Sequence, residues 1–291
     1  MDKLRILICD GNSAVARASF KKVLGCTPSE HFERLLKHHI SELRTDIAYP
    51  DDPDPICVLP LGAYDGILFT GSNSHIYKRE PGTLRQIEFA KAAFASGTPM
   101  FGTCWGLQLA TVAAGGDVQP NRADENVCEA PFASGIRLTE QGRSHPMHQS
   151  RPDEFDAFSF HSDEVISLPD DAIVTARNRN FVQAAEIKHG KSTFWGVQYH
   201  PELSGLDQAG FLRESISSLV ASGSYETHNH VESAAQALSH FKSGVEMPEE
   251  SLIHFETINI NAFDFRPLEI LNWITHLVIP TTQRKFGWSG G

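Results

Sequence analysis

Met100-Phe101-Gly102-Thr103-Cys104-Trp105-Gly106-Leu107-Gln108 decides how this chain is read. A short apolar run, Met100 to Thr103, is followed at once by a segment of helical character, Trp105 to Ala114. Between them stands glycine-x-cysteine-x-glycine, the spacing of a strand-to-helix elbow with cysteine in the nucleophile's place. Such a turn is tight and pushes one side chain into the open. Side chains at the two flanking positions would collide with neighbouring backbone, hence Gly102 and Gly106. The following helix presents its N-terminus to the sulfur, which favours thiolate. The Trp105 N–H is then in position to donate to an oxyanion. Taken alone, the pentapeptide is equally compatible with a buried core cysteine.

Outward from the elbow, strands and helices alternate. Leu4 to Cys9 (L-R-I-L-I-C) is apolar enough for a strand buried on both faces. Asp10-Gly11-Asn12 signals a turn. Helical spacing recurs from Ser29 to about Leu43, through Phe32, Leu35, Leu36 and Ile40. Asp46–Tyr49 and Tyr64–Thr70 read as strands, Thr83–Ser96 as a helix. The pattern predicts an α/β fold with a mainly parallel open sheet flanked by helices. From about Asp117 to His200 the texture changes. Gly135–Leu138, Phe158–Phe160, Ile173–Ala176, Ala184–Ile187 and Thr193–Tyr199 look like strands with few helices between, an antiparallel extension. A helix is expected from Asp207 to Ala221. Beyond Gly223, Val231, Ala234, Ala235, Leu238 and Phe241 fall on one helical face, and Leu268–Ile279 is a second apolar helix. The expected division is residues 1–222 and a helical C-terminal extension, 223–291. Its helices either pack on the domain or supply a lid or dimer contact, with Trp273 and Trp288 as anchors.

Composition bounds the function. The chain has 291 residues, 41% of them hydrophobic, enough for a large core. A net charge of −11 leaves no electrostatic footprint for nucleic acid. No apolar run approaches the ~20 residues that span a bilayer, and the N-terminus lacks a signal-peptide pattern. Five scattered cysteines without a C-x-x-C pair argue against a disulfide framework or a zinc cage. A cytoplasmic protein with reduced thiols is expected. Nothing names a metal or an organic cofactor.

A second signal lies nearly one hundred residues downstream: Gly196-Val197-Gln198-Tyr199-His200-Pro201-Glu202. A cysteine nucleophile needs a base, and the base needs an orienting group. His200 would take the proton from Cys104. Glu202, two residues on, points the same way in extended chain and would hold the imidazole tautomer. The bland alternative is a polar loop after a strand.

Together G-T-C-W-G-L-Q and G-V-Q-Y-H-P-E resemble the class I glutamine amidotransferases, most closely the amidotransferase domain of GMP synthase and its free-standing relatives. The resemblance covers about residues 4 to 220. It implies Cys104 as nucleophile, His200 as base and Glu202 as its partner. It implies Gln108 on the substrate's amino-acid end, with the backbone of Phe160-His161-Ser162-Asp163 along the bound substrate. It places Gly71, with its own N–H or that of Ser72, and Trp105 at the oxyanion hole. Three departures stand out. Gly71-Ser72-Asn73 replaces the family's Gly-Gly-Pro or Gly-Ser-Pro, Ser162 replaces a glycine, and Trp105 is bulkier than usual. They are expected to reshape the site.

The implied reaction is hydrolysis of the γ-amide of glutamine, or of an N-substituted γ-glutamyl amide, through a Cys104 thioester. About seventy residues follow the domain and carry no phosphate loop, so this chain is not expected to activate an acceptor itself. Three readings stay open: a stand-alone hydrolase of γ-glutamyl amides, a subunit passing ammonia to a separate synthetase, and a non-catalytic regulatory module. A homo-oligomer is compatible with each.

Overall fold

The structure is a computed structural model describing residues 3–55, 57–121, 128–240 and 266–285. Phe241 and Trp288, read above as a helix-face residue and an anchor, lie outside the described residues.

The L-R-I-L-I-C run forms β1 (Leu4–Cys9). Its two faces feed two cores. Leu7 and Cys9 pack on one side of the sheet, Ile6 and Ile8 on the other. That is why the run is continuously apolar rather than alternating. Helices α1 (Ala14–Leu24) and α2 (Pro28–His39) follow, then β2 (Leu43–Ala48), β3 (Gly66–Phe69), α3 (Pro81–Ser96), β4 (Met100–Thr103) and α4 (Trp105–Ala113). α2 opens with a reciprocal Thr27–Glu30 capping box and stops at His39, because Ile40 is extended (φ −127°). The helix expected to run to Leu43 is therefore shorter, and Leu43 starts a strand.

Next come β5 (Asp117–Pro120), β6 (Phe132–Leu138), the short helix α5 (Glu140–Ser144), β7 (Glu154–Phe158), β8 (Asp163–Ser167), β9 (Ile173–Arg177), β10 (Val182–His189) and β11 (Ser192–Val197). Among the described residues, nine strands make one sheet in the order β2-β1-β3-β4-β11-β10-β9-β6-β7. β2 through β11 run parallel; β10, β9, β6 and β7 continue antiparallel. β5 and β8 pair separately, and sequence reading had neither. The strand placed at Phe158–Phe160 ends at Phe158, and Phe160 leaves the sheet.

The C-terminal part adds α6 (Gly205–Glu214), α7 (Ile216–Ala221), α8 (His228–His240), α9 (Leu268–Trp273) and α10 (Ile279–Lys285). One helix was expected over 207–221; the chain turns at Ser215 (φ −103°, ψ 8°) and makes two. α8 buries Val231, Ala234, Ala235 and Leu238 in a third core with Leu212 and Leu219, the face its spacing predicted. A π-helical turn, Ile274–Val278, joins α9 to α10. Trp273 is fully buried against Phe101, ring centroids 5.8 Å apart. A Cβ on Gly66 would lie 2.8 Å from its ring, so that strand position accepts only glycine. α9 is also pinned by Glu269, whose carboxylate receives two bonds from the buried Arg151 guanidinium at 2.8 and 2.6 Å.

Candidate active site

The parallel strands β1, β3, β4 and β11 end on one edge, where an open α/β sheet gathers its site. Each contributes a loop.

After β4 the chain enters the elbow. Cys104 has φ 49° and ψ −104°, a positive φ that a side-chain-bearing residue adopts at a cost of order 1–3 kcal/mol. The turn is held by the Cys104 N–H, which donates to the Val197 carbonyl at 2.8 Å. The flanking glycines are required as expected. A Cβ at Gly102 would come 2.9 Å from Gly106 backbone, and one at Gly106 would come 2.7 Å from the Phe69 carbonyl oxygen. Trp105 starts α4, but its indole turns into the core, where Nε1 donates to Gln86 at 2.9 Å. Its bulk fills space under Gly11 rather than the cleft; a Cβ on Gly11 would sit 2.7 Å from the indole.

After β11 come His200 and Glu202, both about nine-tenths buried. His200 Nδ1 faces Glu202 Oε1 at 2.7 Å. That carboxylate is an acceptor, so Nδ1 carries the proton and Nε2 is left for the thiol. Glu202 Oε1 also accepts from the Thr103 hydroxyl at 3.2 Å, tying the carboxylate to the elbow strand. Burial alone would lower the His200 pKa. The Glu202 charge and the hydrogen bonds to Cys104 and Glu202 outweigh it and lift it to about 10. The imidazole is thus held protonated beside Cys104.

After β3 runs Gly71-Ser72-Asn73. A Cβ on Gly71 would be 3.0 Å from His200 Cε1 and 3.8 Å from Cys104 Cβ, so this loop lies directly against both side chains. The β1 loop holds it there. Asn12 Nδ2 donates to the Gly71 carbonyl at 2.9 Å, and the Asn73 N–H donates to Asn12 Oδ1 at 3.3 Å. Asn12 is oriented by Asp10, which also accepts from the Ser29 N–H and hydroxyl at the start of α2. Asp10 and Asn12 were read from sequence as a turn and nothing more. Their signal was weak, because Asp-Gly-Asn is common turn chemistry and the partners lie far off in the chain.

The remaining residues divide. Phe160 lines the cleft beside Cys104 and His200. Gln108 is buried one turn along α4, its amide donating to the Asp163 carbonyl (3.2 Å) and Gln198 (3.3 Å). The His161 ring faces away from the cleft, between the Asp163 carbonyl at 2.9 Å and Glu129 at 2.8 Å. Glu129 also accepts from Asn178 and Gln183, so one partly buried carboxylate fastens the 159–163 segment. The Ser162 carbonyl accepts from the Asn121 N–H at 2.8 Å. Among the described residues no cluster of three or more His, Cys, Asp or Glu is placed to hold a metal, and no helix is long and apolar enough to cross a membrane.

Fold and site together define an α/β amidase that works through a cysteine. The chain belongs to the class I glutamine amidotransferase family, whose profile it matches over residues 29–216. It is 69% identical to a γ-glutamyl-L-1-hydroxyisopropylamide hydrolase from a Pseudomonas species, over all of this chain and 99% of that one. It is 31% identical to a GMP synthase from Syntrophomonas wolfei, over 47% of this chain but 24% of that enzyme. The fold is shared with a glutamine amidotransferase from Thermotoga maritima (TM-score 0.59, 14% identity, covering 92% of this chain and 100% of that one). It is shared too with one from Methylobacillus flagellatus (TM-score 0.57, 19% identity, 94% and 95% covered).

Proposed function

We propose that this chain hydrolyses an N-substituted γ-glutamyl amide, releasing glutamate and a small amine. The observation that carries the reading is the His200 imidazole held between Cys104 and Glu202, with Nδ1 on the carboxylate at 2.7 Å. In this reading the Cys104 thiolate attacks the γ-carbonyl carbon. The N–H groups of Gly71 or Ser72 and of Trp105 take the oxyanion. The His200 imidazolium gives its proton to the departing nitrogen as the C–N bond breaks. Water then attacks the γ-glutamyl thioester, His200 accepts its proton, and glutamate leaves with the thiolate restored. Gln108 and the Phe160-His161-Ser162 backbone hold the amino-acid end. Identity of 69% with a γ-glutamyl amide hydrolase, along the full length of both chains, supports a substituted amide as substrate. Residues 1–222 form the reacting unit. Residues 223–291 are an extension whose helices brace it, α8 on α6 and Trp273 beneath Gly66.

The similarity to GMP synthases favours a second reading, a subunit that releases ammonia from glutamine for a separate synthetase. One experiment separates them. The purified chain is given glutamine and γ-glutamyl alkylamides, and glutamate release is followed. Efficient turnover of alkylamides by the chain alone is expected, with a hydroxylamine-trappable thioester and complete loss in Cys104→Ala. Unchanged release from Cys104→Ala would remove the nucleophile assignment. Turnover of glutamine alone, rising on addition of a synthetase, would favour the subunit.

A further inference from the structure

The cleft over Cys104 is walled on one side by apolar side chains that glutamine hydrolysis does not need. Phe20, Val23 and Leu24 of α1, Phe211 of α6 and Phe160 line it together, α1 packing directly on α6 with Val23 against Gly210. Phe20 and Phe211 meet edge to face at 5.4 Å, and Phe160 lies 6.3 Å from Phe211. The wall is half-buried rather than sealed, so a small molecule has access. At its rim Ser19 donates to Glu214 at 3.1 Å, and this polar pair limits the apolar depth.

The wall adjoins the base rather than the far end of the cleft. Leu203 closes the turn that begins at His200, its N–H donating to the His200 carbonyl at 3.4 Å, and Leu203 and Leu24 line the same cavity as the imidazole. His31, between them, bonds the Glu202 carbonyl at 3.0 Å. The group that receives the His200 proton is the leaving nitrogen, so whatever is attached to that nitrogen lies against this wall. Gln108 and His161, turned toward Gln198 and Glu129, do not reach it. Ammonia would leave the apolar surface uncovered. An alkyl substituent covers it, at about 25 cal/mol for each Å² removed from water.

We propose that Phe20, Val23, Leu24, Phe160 and Phe211 form a subsite for the alkyl group of the departing amine, closed at its rim by the Ser19–Glu214 pair and so sized for a few carbons. This rests on the γ-glutamyl amide reading above and specifies which amines that reaction releases.

The test measures kcat/KM for γ-glutamyl methylamide, ethylamide, isopropylamide and hexylamide, with glutamine alongside, in the wild type, Phe20→Ala and Val23→Asn. Methylamide is the reference, so each ratio is internal to one preparation and a partly misfolded variant does not distort it. A methylene or methyl group in an apolar pocket is worth roughly 10–200-fold. The isopropyl-to-methyl ratio is expected to fall about 10-fold in each variant, and hexylamide to lose its place to isopropylamide in the wild type. Ratios equal in all three proteins would overturn the subsite while leaving amide hydrolysis standing. Absence of turnover with every alkylamide, glutamine still being hydrolysed, would overturn both the subsite and the substituted-amide reading.

Discussion

Glu269→Gln is the perturbation for which the structure supplies a magnitude. The carboxylate is completely buried. It accepts from Arg151 Nε at 2.8 Å and Nη2 at 2.6 Å, and His148 Nδ1 is 3.6 Å away. Burial works to raise its pKa. The Arg151 charge, with its hydrogen bonds and the nearby His148, overcomes burial and holds it at about 2, against an ordinary 4.5. That depression is worth about 3 kcal/mol at ~1.36 kcal/mol for each pH unit. A depressed carboxyl pKa contributes stability that is present above 4.5 and is lost as pH falls toward 2. Glutamine keeps the shape, opens no cavity and leaves Arg151 charged and buried, for which a loss of ~3–5 kcal/mol is usual. Urea unfolding at pH 7 should therefore show the variant weaker by about 3 kcal/mol. That is a midpoint shift of about 1 M at an m of ~3 kcal/mol/M. The gap should then close as both proteins are taken from pH 5 toward pH 3. An unchanged midpoint at pH 7, or a gap constant with pH, would refute the account of this pair as the clamp that holds α9.

Three further outcomes are expected. Gly106→Ala places a Cβ 2.7 Å from the Phe69 carbonyl oxygen; thermal melting should show a loss of at least ~1–3 kcal/mol, with glutamate release falling as the elbow opens. Glu202→Gln removes the first of the charges that raise His200, so the imidazolium should lose its proton at lower pH. The alkaline limb of kcat/KM, expected near pH 10 in the wild type, should move toward neutrality; a limb that stays put would contradict the pairing. Asn12→Ala frees the Gly71 carbonyl and the Asn73 N–H, and kcat should fall about 10-fold or more with KM little changed, since single oxyanion donors are worth ~10²–10³.

What was legible in the sequence is what local spacing encodes. L-R-I-L-I-C announced a strand with no wet face, and Ile6/Ile8 against Leu7/Cys9 is that alternation realised. Gly-x-Cys-x-Gly announced an elbow because backbone collision leaves no other residue at 102 and 106. His200 and Glu202, two apart, announced a bonded pair. What was hidden depends on partners distant in the chain. Nothing local says that Asp10 reaches Ser29 or that Asn12 reaches Gly71. Phe160 was expected both as the end of a strand and, from the family resemblance, beside the substrate; it leaves the sheet and lines the cleft. Trp105 looked like an intrusion into the site because its size is visible in sequence and the direction of its indole is not.

The placement of these hidden bonds bears on why one fold can release either ammonia or an alkyl amine. The loops assigned above to the reaction are locked to one another: Asn12 to the Gly71 loop, Thr103 to Glu202, and Trp105 through Gln86 to the Gly11 carbonyl at 3.0 Å. A substitution within that lattice disturbs the elbow, the base and the oxyanion loop together. The amine-side wall is built differently. Phe20, Val23 and Phe211 project from α1 and α6, half-buried, with Phe20 and Phe211 joined by ring packing rather than by the lattice's hydrogen bonds. Their size and polarity can change while His200 stays between Cys104 and Glu202. On the proposed subsite, choice of amine is carried by the helices over the cleft, and the hydrolytic chemistry by the strand ends beneath it.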